Sequence, residues 1–141
     1  MREDAMPPTA AALLPHCLPG NADARILLFA MRRMAICGLR DAHAAQAFFL
    51  HFGLGYRRPL VLLRALLVEM AHEARGSITI APCCAPRMSA DERAILGLLA
   101  SPETGRAALA STLGRADAIR TLDLGRALTD ALASAGRPVR L

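Results

Sequence analysis

Apolar residues recur at helical spacing through most of this chain and at strand spacing in one short window only. Asn21 or Asp23 suits a helix N-cap, and Leu27, Ala30, Met31 and Met34 then form one apolar face of a helix reaching about Ile36, ended by Gly38. A second helix is predicted from near Asp41 to Phe52, with Gly53 just past its end. Its Ala44, Ala45, Phe48, Phe49 and Phe52 share one face and are expected in the core. Pro59 suits the first turn of a third helix, 59 to about 75, because a missing N–H costs nothing there. Leu60, Leu63, Leu66, Leu67 and Met70 give it a broad apolar face, and Val61, Leu62, Ala65 and Val68 cover much of the rest. This helix should therefore be central and surrounded by the others. Ser89 and Glu92 spell a capping box for a fourth helix to about Ala100. Ser101-Pro102-Glu103 opens a fifth, ending at Gly114, and a sixth is expected from about Asp117 to Ala135, loosened by Gly125. The pattern predicts an all-α bundle of about six helices around helix 59–75.

The strand-like window is Ser77 to Ala81, closed by Pro82. No neighbouring segment offers it a hairpin partner. Pairing is expected either with 139–141, where Pro138 suits an edge position, or with its own copy across a twofold axis, which would make a homodimer. Residues 1–21 carry Pro7, Pro8, Pro15, Pro19 and Gly20 without periodicity and read as an irregular lead into one helical domain over 22–141.

Composition supports the helical reading. Of 141 residues, 54% are apolar but only 4% aromatic, with no Trp, so Ala and Leu must fill a core of closely packed small helices. The most apolar run, Leu60 to Ala71, is broken by Arg64 and Glu69, short of the roughly 20 clean residues that a membrane span needs. The N-terminus is too acidic and its apolar stretch too short for a secretory signal. Four cysteines then read as thiols or metal ligands in a cytoplasmic chain, not as a disulfide framework.

Charge divides the chain. All 17 basic residues are Arg, a usage that fits a GC-rich coding genome, and the net charge is +5. Seven Arg stand against the single acid Asp41 between Arg25 and Arg64, whereas Ser89 to Leu141 balances seven Arg with six acids. Arg32, Arg33, Arg40, Arg57, Arg58 and Arg64 are the candidate anion-binding set. Arg57 and Arg58 open a helix whose dipole they oppose, at a cost of about 0.3–1 kcal/mol each when exposed. An anion bound there would reverse that sign. The partner would be nucleic acid, an acidic protein or a phosphorylated ligand. On the first helix, Phe29 and Ile36 fall among Arg25, Arg32 and Arg33, a mixed stripe that suits either a partner interface or a helix buried on both sides.

Thiol chemistry is the second candidate. Cys83 and Cys84 sit between Pro82 and Pro86 ahead of a helix N-terminus, with His72 eleven residues before Cys83. These three would begin a zinc site, which needs a fourth ligand, with Cys17, His16 and Cys37 as completions; buried structural thiols are the alternative. Glu69 and His72 have the E-x-x-H spacing of di-iron bundles, but no second copy exists, so Glu69, His72 and Glu73 read as a solvated edge with one Glu pairing with an Arg. His43 and His51 stand about 12 Å apart along one helix, too far to share an ion. No nucleophile elbow, zincin helix, P-loop or dinucleotide fingerprint is present, so the reading leans away from an enzyme and implies no further cofactor.

The stretch RRMAICGLRDAHAAQAFFLHFGLGYRRPLVLLRALLVE (32–69), with APCCAPRMSADE (81–92), resembles a family of small bacterial proteins of unassigned function over roughly residues 15–140. That resemblance implies a small stand-alone bacterial protein and brings no activity, cofactor or catalytic residue with it.

Overall fold

Helix boundaries in the computed structural model, which describes residues 13–141, fall where the caps place them. Asn21 accepts from the Ala24 N–H to start α1 (Ala22–Cys37), and Asp41 accepts from the Ala44 N–H to start α2 (Ala42–Phe52). A 3-10 turn, Gly53–Tyr56, runs without a break into α3 (Arg57–Glu73), which therefore begins two residues before Pro59. The capping box of Ser89 and Glu92 is complete at the start of α4 (Ala90–Ala100). Ser101 then leads directly into α5 (Pro102–Leu113), and α6 (Ile119–Ser134) follows. Among the described residues the fold is all-α with one minimal ladder. For the predicted irregular lead, residues 1–12 lie outside those described; within 13–21, His16–Cys17 forms β1, antiparallel to β2 (Arg87–Met88), with His16 opposite Met88 and Cys17 opposite Arg87.

That ladder corrects the strand expectation. Residues 77–81 lie outside the helices and join no ladder among the described residues, either with 139–141 or otherwise. Side chains at the start of α4 take the place of a neighbouring strand. Asp91 Oδ2 accepts from the Thr79 N–H at 2.7 Å, Ser89 Oγ donates to the Thr79 carbonyl at 2.7 Å, and Glu92 Oε2 accepts from the Ala81 N–H at 3.2 Å. The backbone demand was real, and the partner was not a strand. Val139 of the tail is buried in the core instead.

One contiguous apolar cluster draws on all these helices, from Leu27, Met31 and Met34 of α1 to Leu128 and Leu132 of α6. Helices α4 and α5 pack closely against each other, and α3 packs against α6. Gly105 and Gly125 permit the closest approaches: a Cβ on Gly105 would sit 2.6 Å from the Leu98 backbone, and one on Gly125 would sit 2.6 Å from Leu98 Cδ2. Gly125 thus brings helices together where a looser helix was expected. Helix α3 buries Leu60, Leu63, Leu66 and Met70 but is not surrounded, because Val61 stays 57% exposed. Phe49 is likewise 46% exposed on α2, whereas Ala44 and Phe48 are fully buried.

Candidate anion-binding surface

The six candidate arginines divide by their partners. Arg32 is 2% exposed and faces Glu92, which is 0% exposed. Its Nε donates to Glu92 Oε2 at 2.7 Å and its Nη2 to Oε1 at 3.1 Å; Nη1 donates to the Ala85 carbonyl at 3.0 Å and Nη2 also to the Arg87 carbonyl at 2.8 Å. Glu92 takes two further hydrogen bonds, from the Ser89 and Ala81 N–H groups. A buried ion pair is tolerated when additional hydrogen bonds satisfy its remaining lone pairs and protons, and this pair meets that condition. Arg32 is therefore withdrawn from the anion-binding set: it fastens α1 to α4 and to the 81–88 loop.

Arg33 is also engaged. Its Nε and Nη2 form a fork on Asp41 at 3.0 and 2.8 Å, and Nη2 also meets His43 Nδ1 at 2.8 Å. The hydrogen bond from Arg33 holds the Asp41 carboxyl down at about 2, below the usual carboxylate range, and raises the Arg33 guanidinium in turn. Since Asp41 also caps α2, the fork fixes the turn between α1 and α2, and Arg33 leaves the set for that reason.

Arg40, Arg57, Arg58 and Arg64 form no ion pair among the described residues. Arg57, Val61, Arg64 and Val68 recur at three- and four-residue spacing, so they share the open side of α3. Arg57 lies 6.0 Å from the Tyr56 ring centroid, and Arg64 Nε donates to the Leu39 carbonyl at 2.8 Å. Arg40 stands in the turn after α1 and lines one groove with Arg64, Val61 and Val68; among the described residues Glu69 is the only acid along it. Leu54, at the tip of the 3-10 turn beside this face, is 92% exposed. The arrangement can hold an anion beside exposed apolar surface.

The thiol candidates are not gathered. Cys83 and Cys84 occupy the middle of a turn closed by the Ala85 N–H on the Pro82 carbonyl at 3.0 Å, and both are exposed, as are Cys17 and Cys37. Exposure removes the buried-thiol alternative. His72 lies exposed near the end of α3, and among the described residues no three His, Cys, Asp or Glu side chains are placed to hold a metal. Among the described residues Glu73 pairs with no Arg side chain: its Oε1 accepts from the Thr121 N–H at 2.8 Å and hydroxyl at 2.5 Å, capping α6 from another helix. His51 meets Asp23, at the start of α1.

A family of unknown function (DUF6628) matches residues 8–137. The chain belongs to that family. No curated protein matches it, and no solved structure does. Among the described residues no helix is long and apolar enough to cross a membrane. Membership assigns no chemistry, so function in this DUF6628 chain has to be read from its own side chains.

Sequence reasoning found Glu92 as a capping residue and missed its second role, because its Arg partner lies 60 positions away. One local signal pointed to Arg32: it follows Leu28 by one helical turn, and Leu28 is itself buried on that side of α1. Met31, Met34 and Leu67, which line an apolar cavity between α1 and α3, read from sequence simply as core.

Proposed function

We propose that this chain is a small cytoplasmic bacterial binding or regulatory module, non-catalytic, that engages an anionic partner through Arg40, Arg57, Arg58 and Arg64. The observation that carries this reading is the contrast within the basic half. Arg32 and Arg33 are neutralised by Glu92 and Asp41, while these four arginines have no acidic partner among the described residues. Arg57 and Arg58 at the start of α3 oppose its dipole, and an anion would relieve that opposition. Retention on heparin in a salt gradient tests the reading. The native protein should elute late, and Gln at all four positions should move elution to low salt, with the salt slope falling by about one for each anionic contact removed. Elution of the quadruple variant with the native protein would dispose of it.

A thiol- or metal-dependent protein centred on Cys83, Cys84 and His72 is the second reading, favoured by the exposure of both adjacent thiols in one turn. The metal content of the purified protein decides its zinc branch.

A further inference from the structure

Between α1, α3 and the 77–81 segment lies a cavity of about 300 Å3, open on one side. Met31 and Met34 line it from α1, Leu67 from α3, Ile78 and Ile80 from the 77–81 segment, and Ile95 from α4. Every residue in its wall is apolar. That volume lies at the lower end of the range for small-molecule sites, and the flexible methionine side chains adapt to the shape of an occupant.

The wall is held in place before anything binds. Ile78 and Ile80 flank Thr79, and both line the cavity. Asp91 and Ser89 pin the intervening Thr79 backbone to the start of α4, Glu92 accepts from the Ala81 N–H just beyond Ile80, and Glu92 is in turn fixed by Arg32. The β-branched window that forms no ladder therefore closes one side of an apolar chamber.

An adjoining groove carries two arginines. Leu39 and Val68 belong to the walls of both this cavity and the adjoining groove that carries Arg40 and Arg64. The hydrogen bond from Arg64 Nε to the Leu39 carbonyl holds its guanidinium at that shared wall. Among the described residues Glu69 is the one opposing charge along the groove. Resting on the anionic-partner reading above, we infer that the chain binds an anionic amphiphile: its apolar body fills the methionine-lined cavity, and its carboxylate or phosphate head meets Arg40 and Arg64. An apolar chamber with two arginines at its edge complements both halves of such a molecule.

Calorimetric titration of the full chain with decanoate, decyl phosphate and decanol tests this. At least one of the anions should bind about tenfold more tightly than the alcohol, the worth of a charge-assisted hydrogen bond at the head. Arg40→Gln should abolish that preference while melting at the native temperature. Ala71→Phe, which adds bulk at the cavity wall from an exposed position on α3, should remove binding of all three. Equal affinity for decanol and the two anions, failure of folded native protein to bind any of them, or unchanged binding by Ala71→Phe would each overturn the inference. Heparin retention separates this failure from that of the wider reading. If it persists and still depends on Arg57 and Arg58, only the amphiphile is lost; if it is absent as well, the anionic-partner reading falls with it.

Discussion

Arg32 and Arg57 lie in the same basic half of the chain and do opposite things. Around Arg32, a guanidinium and a carboxylate are removed from water, and each compensates the other within a closed set of hydrogen bonds to the 81–88 loop. Arg57 and Arg58 at the start of α3 are exposed, Arg64 is half-buried on the Leu39 carbonyl, and none forms an ion pair among the described residues. Arginine content therefore states only that positive charge must be placed somewhere. Burial with a facing acid turns it into structure, and exposure leaves it hydrated at the surface.

The comparison is broken most readily at the buried pair. Glu92→Ala leaves Arg32 charged and unpaired in the interior, so the unfolding free energy should fall by about 3–5 kcal/mol in denaturant titration. Replacing both partners with apolar residues of similar volume should be far less harmful than either single change. A loss below about 1 kcal/mol for Glu92→Ala would mean that the hub is no more consequential than the surface.

Acid should expose the Arg33–Asp41 fork next. The carboxyl of Asp41 is depressed to about 2 in the folded chain, below its unfolded value. The pair thus contributes stability fully above about pH 4, and that contribution is lost as pH falls towards 2. Asp41→Asn should flatten this part of a stability–pH profile measured by thermal melting. A variant that melts with the same acid dependence as the native chain would show that the fork does not link to folding.

The smallest effect is expected on the open side of α3. Arg57→Gln and Arg58→Gln should leave stability within about 0.5 kcal/mol, with any change stabilising because charges that oppose the helix dipole are removed. Chemical denaturation measures this. A loss approaching that of Glu92→Ala would show that these arginines are structural after all, and the contrast between the two regions would disappear.

Local signals carried the helices well. Asn21, Asp41 and the Ser89–Glu92 box cap the helices for which they were read, and Gly38, Gly53 and Gly114 end helices with positive φ. Each of these features lies within a few residues of the groups it satisfies, and so periodicity and capping chemistry report it directly. The 77–81 window shows where that reasoning stops. Its β-branched residues read as a strand, but the window joins no ladder among the described residues, and the identity of its hydrogen-bond partners depended on which helix end came to lie beside it.

What the sequence alone determined is the all-α class, the position of the helices, the basic first half and the exclusion of the familiar catalytic motifs. What only the tertiary structure decided is which arginines remain available, that Cys83 and Cys84 are exposed and ungathered, and that Ile78, Ile80 and Met31 enclose a cavity. The physical reason is range. Capping and amphipathic periodicity act over a turn or two of backbone, whereas the neutralisation of Arg32 by Glu92 spans 60 positions and arises only when α1 and α4 are packed together.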